Sequence, residues 1–263
     1  MGENQTALLN TILEDININI NIPTDRELID LYKEFNIDNY EPGRDEISKR
    51  LIAPPYRDSK KNARLNGRAG EQELRQLYIN NLIKNTKYKY SVETQTSKTY
   101  KFTNNNGNGR SGNIDLTIYS SESKKDDLKK LVNIEFKFCN PSKKELKKDI
   151  TKLVFEEING ILYLSLINSN KSTIPNILKK LSNEFSTLKE SKDFSNIADD
   201  KLVMIFIVVL KKMDIYHEVF DFNRAFNGAK DNKEKEDNFN KYCKDFFVKS
   251  NFPALKISEI KKW

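Results

Sequence analysis

The sequence predicts a mixed α/β fold whose core follows the order helix, three strands, helix and strand. Apolar residues alternate with polar ones in short segments in the middle of the chain, which is the period of half-buried strands. Segments with apolar residues three and four positions apart come before and after them, which is the period of helices. We therefore expect a mixed central sheet flanked by helices, with a helical N-terminal addition and an α/β C-terminal addition.

The predicted core begins with a helix in which Leu74, Leu77 and Leu82 recur at roughly helical spacing. A β-rich run, YKYSVETQT, follows as the first strand. In the next two strands, NIDLTIYS and LVNIEFKFC, every second residue is apolar. The helix KKELKKDITKLVFEEI and the buried strand GILYLSLIN complete the order α-β-β-β-α-β.

We predict three regions along the chain: a helical extension over residues 1–60, the core over 61–215, and an added strand and helix over 216–263. In the extension, Thr24 and Glu27 have the spacing of a capping box. The core also contains the predicted helix TIPNILKKLSNEF and the apolar strand KLVMIFIVVLKK, which we expect near the centre of the sheet. In the last region, YHEVFDFNRAF is predicted as a strand packed on the core.

The composition favours a globular protein with an acidic partner. The chain has 263 residues, of which 37% are hydrophobic, so it can bury a substantial core. Its formal net charge of +7 suits a polyanion such as nucleic acid. Two cysteines supply neither a disulfide framework nor a zinc cluster, and the single histidine, His217, lies in an alternating segment typical of an ordinary sheet position.

No segment indicates export or a membrane span. The N-terminus lacks a basic region followed by an apolar stretch. The longest apolar run, Leu202 to Leu210, is far shorter than the roughly 20 residues that a membrane helix needs. We therefore expect a soluble, cytoplasmic protein with no membrane partner.

Three charged residues fall on the polar side of two predicted strands. Glu135 and Lys137 alternate with apolar neighbours, and Asp115 does the same on the preceding strand. If the two strands are neighbours, one face of the sheet carries all three groups. That arrangement is costly against a covering helix unless a cation compensates it.

A divalent cation would compensate these charges. Mg²⁺ favours one or two carboxylates with several waters and a substrate phosphate, so Asp115 and Glu135 could hold it. Lys137 would then lie beside the attacking water or the phosphate, and the parts fit phosphodiester hydrolysis. The alternative is structural: Asp115 ends a loop, and Glu135 and Lys137 belong to the solvated face of an antiparallel strand.

The segments NID at 113–115 and EFK at 135–137, within this order of elements, resemble the motif of the PD-(D/E)xK nuclease superfamily. The resemblance covers about residues 62–168, and it departs from the motif at Ile114, where the family has proline. It implies a restriction-endonuclease-like fold and a metal-dependent endodeoxyribonuclease that uses Mg²⁺, with Mn²⁺ as an alternative ion.

The resemblance also implies the site residues. Asp115, Glu135 and Lys137 match the motif as catalytic residues, with the two carboxylates as metal ligands. Many members add a glutamate from the helix before the first strand. Glu71 fits that position as a further catalytic and metal-binding residue, with Glu73 as the alternative.

Basic residues close to this motif suit contacts with a phosphate backbone. Arg110 precedes Asp115, while Lys143, Lys144 and Lys147 lie on the following helix. A solvated helix with mixed charges is the structural alternative for these lysines.

The glycines at 107, 109 and 112 spell a dinucleotide-binding pattern, but they precede a strand rather than opening a helix, so this pattern does not indicate a nucleotide site.

From the resemblance we predict a type II restriction or phage-defence nuclease that cuts double-stranded DNA as a homodimer, with a separate cognate methyltransferase as a further partner. The alternatives are a junction resolvase or DNA-repair nuclease of the same fold and a non-catalytic nucleic-acid-binding protein.

Overall fold

The computed structural model describes residues 70–72, 74–76, 78–80, 82–83, 87–100, 110–124, 127–138, 140–166, 169–209, 214–249 and 254–256. The predicted N-terminal extension, residues 1–60, lies outside this part of the chain together with its capping box.

Within the described part of the chain, seven strands form one mixed sheet, and their spatial order equals their order along the chain. They are β1 Lys89–Tyr100, β2 Arg110–Tyr119, β3 Lys130–Phe138, β4 Asn159–Leu166, β5 Leu202–Val209, β6 Asp214–Asp221 and the short β7 Ala254–Lys256. The pairs β3–β4 and β4–β5 are parallel. All other neighbouring pairs are antiparallel, so the predicted mixed sheet is confirmed.

Helices precede β1 and separate groups of these strands along the chain. They are α1, whose helical residues lie between 70 and 83, α2 Lys143–Phe155, α3 Thr173–Ser186, the short α4 Phe222–Phe226 and α5 Asn232–Lys249. Two 3₁₀ helices, Thr187–Glu190 and Phe194–Asn196, follow α3. The order α1, β1, β2, β3, α2, β4 is the predicted order of the core.

A hydrophobic core covers each face of the sheet, because alternate residues of a strand point to opposite sides. On β4, Leu162 and Leu164 belong to the core shared with α2, α3 and α5, whereas Ile161 and Tyr163 belong to the core shared with α1. β5 lies between β4 and β6 and is almost wholly buried, which confirms its predicted central place.

The helix α2 lies close against the sheet. It begins with a capping box, in which the Ser142 hydroxyl accepts a hydrogen bond from the Glu145 N–H and the Glu145 carboxylate accepts one from the Ser142 N–H. Leu146, Ile150 and Leu153 are fully buried. Gly160 on β4 has no Cβ where Leu153 packs; an added Cβ would lie 2.9 Å from the Cβ of Leu153.

The strands β2 and β3 pair over only part of their length. The last pair toward the carboxyl end of β3 is Leu116 with Ile134. Beyond it, β2 remains paired with β1 and β3 remains paired with β4, where Lys137 lies opposite Leu164. Among the described residues, β2 and β3 therefore part at the carboxyl end of β3.

The start of α1 lies at this same end of the sheet. A Cβ added to Gly70 would lie 2.4 Å from the ring of Phe138, the last residue of β3. Only glycine fits so close to the ring, so Gly70 lets the first turn of α1 approach the end of β3.

One predicted strand ends earlier than expected. The segment YHEVFDFNRAF was expected to be extended throughout, but β6 ends at Asp221 and α4 begins at Phe222. The Asp221 carboxylate accepts hydrogen bonds from the backbone N–H groups of Asn223 and Arg224 and caps the helix. β6 also begins at Asp214, before the predicted boundary at 215, and it pairs with β5 along its whole length.

None of the helices that the structure describes is long and apolar enough to cross a membrane. His217 lies on β6 opposite Phe206 and is half-buried, in the ordinary sheet position that its alternating segment predicted.

Candidate metal and phosphate site

The structure brings Asp115 and Glu135 together where β2 and β3 part. Each lies directly beyond the last β2–β3 pair, Asp115 next to Leu116 and Glu135 next to Ile134. The Oδ2 atom of Asp115 accepts a hydrogen bond from the backbone N–H of Phe136 at 2.8 Å. A side chain thus takes the place of a ladder hydrogen bond, and it places the Asp115 carboxylate beside the Glu135 peptide.

Glu71 reaches the same place from α1. Its Oε1 lies 3.4 Å from the Nζ of Lys137, and its side chain is 27% exposed. Gly70 makes this possible, because it allows the start of α1 to pack on the end of β3. The side chain of Glu73, the alternative glutamate, lies outside the described residues.

The interpretation of Glu135 as part of a solvated face is wrong. Glu135 is 1% exposed, because α2 covers this side of the sheet. Lys152 of α2 donates a hydrogen bond to the Oε1 of Glu135 and forms an ion pair with it. The cost of burying the carboxylate is thus offset by a buried ammonium group.

Two residues of α2 that the sequence analysis did not select belong to the site. The carboxylate of Asp149 lies between two lysines: its Oδ2 is 3.0 Å from the Nζ of Lys137, and its Oδ1 is 3.1 Å from the Nζ of Lys152. Asp149 and Lys152 are both about 2% exposed. The charged side chains form one chain of alternating sign, in the order Glu71, Lys137, Asp149, Lys152 and Glu135.

A signal for these two residues is present in the sequence. Leu146, Ile150 and Leu153 form the apolar stripe of α2, at positions spaced by three and four. Asp149 borders that stripe, three residues after Leu146 and four before Leu153, where charged residues are rarely found without a partner. Lys152 follows Asp149 by three residues, the spacing of an ion pair on a helix, so the two residues together indicated a buried polar network next to the predicted motif.

The site carries more negative than positive groups. Four carboxylates meet two ammonium groups, which leaves two negative charges if all six groups are ionised: Glu71, Asp115, Glu135 and Asp149 against Lys137 and Lys152. This excess matches the charge of one divalent cation.

Burial raises the pKa values of two carboxyl groups of the site, and neighbouring carboxylates add to the shift. Burial raises the pKa of Glu71 to about 7; the charge of Lys137 opposes the shift, and Asp115 and Asp149 reinforce it. Burial also raises the pKa of Glu135 well above its usual range, with Asp115 and Asp149 acting in the same direction. A bound cation would favour the ionised form of both groups.

The pKa shifts of Lys137, Lys152 and Asp149 favour their charged forms. Burial alone would lower the pKa values of Lys137 and Lys152, but the surrounding carboxylates outweigh it and raise both. Burial likewise acts to raise the pKa of Asp149, but Lys137 and Lys152 outweigh it and lower that pKa. The ion pairs thus favour the charged forms of Asp149 and of both lysines.

The donor set fits Mg²⁺ only as a two-carboxylate site. Within the described part of the chain, no group of three or more His, Cys, Asp or Glu side chains is arranged to hold a metal ion. Glu71 contacts Lys137 rather than completing such a group. Mg²⁺ binds proteins through one or two carboxylates and keeps several waters, so Asp115 and Glu135 have the chemistry it needs.

The predicted phosphate-contacting lysines lie on the outer side of α2. Lys143, Lys144 and Lys147 are exposed. Burial raises the pKa of Glu184 on α3 while Lys147 and Lys143 act against it, so these two lysines lie near α3. Arg110 opens β2, but its side chain lies outside the described residues.

Comparison with protein-family models, with curated proteins and with solved structures found no match to this chain.

Proposed function

We propose that this protein is a Mg²⁺-dependent endodeoxyribonuclease of the PD-(D/E)xK type, acting in restriction or phage defence. The observation that carries the proposal is the place of the charged groups. Asp115, Glu135 and Lys137 lie together where two strands part, within a group of four carboxyl and two ammonium groups. The order of elements and the parting of β2 and β3 support a restriction-endonuclease-like core.

In this proposal Asp115 and Glu135 hold the ion. When bound, Mg²⁺ lowers the pKa of a coordinated water and offsets charge on the phosphate. The hydrogen bond from the Phe136 N–H fixes one oxygen of Asp115 at 2.8 Å, which restricts how its carboxylate turns. Lys152 does the same for one oxygen of Glu135. Both ligands are thus oriented before the ion arrives.

Lys137 supplies a fixed positive charge to the reaction. Its ammonium group remains protonated, because the neighbouring carboxylates raise its pKa. In hydrolysis, a bond forms between water oxygen and phosphorus and a bond between phosphorus and a sugar oxygen breaks. Negative charge develops on the phosphoryl oxygens, and an ammonium group beside them stabilises it.

The partners of the proposed enzyme follow from the reaction. One active site cuts one strand, so we propose a homodimer that cuts both strands of double-stranded DNA, with a separate cognate methyltransferase as the partner of a restriction enzyme. The exposed lysines of α2 suit phosphate contacts that position DNA without reading its sequence. Sedimentation of the protein with and without a DNA duplex would measure the oligomeric state.

The test is DNA cleavage by isosteric variants. Supercoiled plasmid is incubated with the protein in Mg²⁺, in Mn²⁺ and in EDTA, and the assay is repeated with Lys137→Gln and Asp115→Asn. We expect metal-dependent nicking or linearisation by the wild type and loss of it in both variants. Lys192→Gln, which changes an exposed lysine outside the site and outside α2, is the matched control and should remain active.

A second function is favoured by one specific observation. Lys137 is already paired with Glu71 and Asp149, so the network also suits a non-catalytic nucleic-acid-binding protein that keeps these charges for stability. DNA binding without cleavage in any metal would support that function. Cleavage that persists in both site variants would contradict the proposed site.

A further inference from the structure

The two site lysines are held by one carboxylate from α2. Asp149 contacts Lys137 of β3 through Oδ2 at 3.0 Å and Lys152 of its own helix through Oδ1 at 3.1 Å. Each oxygen serves a different ammonium group, so the spacing between the two lysines depends on this one side chain.

Three oxygen atoms lie close to the Lys137 ammonium group. Besides Asp149, its Nζ lies 3.4 Å from Glu71 Oε1 and donates to the carbonyl oxygen of Phe136 at 2.9 Å. The side chain of Asp149 is 3% exposed, whereas that of Glu71 is 27% exposed. A phosphate that approaches from solvent can therefore take the place of Glu71, while Asp149 keeps hold of the lysine.

Lys152 is held in the same way, and it connects three elements. Its Nζ contacts Asp149 of α2, donates to Glu135 of β3, and donates to the carbonyl oxygen of Asn113 of β2 at 2.8 Å. Asn113 and Glu135 lie on the two strands where they are no longer paired with each other. Lys152 of α2 therefore connects the two separated strands through its hydrogen bonds and fixes the position of the Glu135 carboxylate.

We propose that Asp149 and Lys152 are positioning residues of this site, Asp149 for Lys137 and Lys152 for Glu135. The inference rests on the proposed function and adds to it two residues that need not touch the substrate. A lysine side chain is long and loses much rotamer freedom when it is fixed. A group that must meet a phosphate in one geometry gains from being fixed beforehand, since a displacement of about 1 Å can cost roughly 100-fold in rate.

The first test uses Asp149→Asn, which retains the shape of the side chain but presents an amide donor to one of the two lysines. We expect kcat for DNA cleavage to fall about 100-fold. KM for DNA and the affinity for Mn²⁺, measured by calorimetry without turnover, should change less than about threefold, because Asp115 and Glu135 are retained. A purely structural role would lower the folded fraction but leave kcat per folded molecule unchanged, and that result would overturn the proposal for Asp149.

The second test uses Lys152→Met, with Lys152→Arg as the conservative variant. We expect Lys152→Met to weaken Mn²⁺ binding about tenfold or more through misplacement of Glu135, and Lys152→Arg to recover part of that loss. Lys192→Met, at an exposed lysine outside the site, is the matched control and should leave Mn²⁺ affinity unchanged. Unchanged Mn²⁺ affinity in Lys152→Met would overturn the role of Lys152.

If Asp149→Asn does not fold, Asp149→Glu keeps the charge on a longer side chain and should show the same fall in kcat.

A measurement without DNA or metal separates this inference from the proposed function. The ammonium group of a fixed lysine gives a resolved ¹⁵Nζ signal in NMR, because its hydrogens exchange slowly with water. We expect such a signal for Lys137 in the wild type and its loss in Asp149→Asn. An inert wild type that still shows this behaviour would contradict the nuclease function alone. A Lys137 signal unaffected by Asp149→Asn would contradict the positioning role alone.

Discussion

The Oδ2 of Asp115 accepts a hydrogen bond from the backbone N–H of Phe136 at 2.8 Å, immediately beyond the last pair of β2 and β3. A carboxylate thereby takes the place of a backbone acceptor at the point where two strands part. The strands can separate without leaving the Phe136 N–H unpaired, which would cost about 1–3 kcal/mol. The separation of β2 and β3 and the position of the Asp115 carboxylate therefore depend on the same hydrogen bond.

The first prediction concerns Asp115. In Asp115→Asn the amide oxygen can still accept the Phe136 N–H, so we expect the fold to persist. The variant loses a negative charge from the proposed metal site, and metal-dependent DNA cleavage should fall about 100-fold or more. Plasmid cleavage measures activity and thermal unfolding measures stability. A variant that is stable and fully active would show that Asp115 has only a structural role.

The second prediction concerns the start of α1. In Gly70→Ala the new Cβ would lie 2.4 Å from the Phe138 ring, so the first turn of α1 must move away. We expect the free energy of unfolding to fall by about 1–3 kcal/mol, as in other overpacked cores. Chemical denaturation measures the change. The double variant Gly70→Ala with Phe138→Leu removes the ring and should recover part of the loss; no recovery would point to a cause other than this contact.

The third prediction concerns Glu156, which follows α2 and holds β1. Its carboxylate accepts hydrogen bonds from the Ser97 N–H, the Ser97 hydroxyl, the Lys98 N–H and the Tyr100 hydroxyl. Glu156→Gln places an amide donor among these donors, so we expect about 1–3 kcal/mol of destabilisation. Glu157→Gln, which changes the exposed neighbour, is the control and should be nearly neutral. Equal stability of the two variants by thermal unfolding would refute the role of Glu156.

The fourth prediction concerns the pH dependence of stability at Lys201. This residue is 2% exposed, and it donates hydrogen bonds to the carbonyl oxygens of Glu156, at 2.7 Å, and Ile158. Burial lowers the pKa of Lys201 to about 7, from an ordinary value of 10.5. Between these two values the unfolded chain binds a proton that the folded chain does not, so the free energy of unfolding rises with pH across that window.

The comparison that isolates this effect is Lys201→Met, whose side chain does not titrate. From pH 7 to 10 the free energy of unfolding should rise more steeply in the wild type, by at most about 1.4 kcal/mol per pH unit. Lys192→Met, at an exposed lysine, should keep the slope of the wild type. Urea denaturation at several pH values measures the slopes, and parallel curves for wild type and Lys201→Met would show that Lys201 is charged in the folded protein.

The alternation of apolar residues was sufficient to predict the core of the fold. Ile134 and Phe136 point to one face of β3 because successive side chains of any strand point to opposite faces. The same local rule places Glu135 and Lys137 together on the other face. The segment after Asp221 was predicted wrongly, because a side-chain cap converts an alternating pattern into a short helix.

The sequence alone thus determined the order of the elements, the mixed sheet with helices on its faces, and the selection of Asp115, Glu135 and Lys137, all from local periodicity and a short motif. The tertiary structure decided the partners of these groups. Contacts among β2, β3 and α2 join residues up to 39 positions apart, as between Lys152 and Asn113, and no local period encodes such distances. Burial of Glu135 beneath α2, and the bridge that Asp149 forms between two lysines, arise only because packing brings those segments together and a buried charge requires a partner.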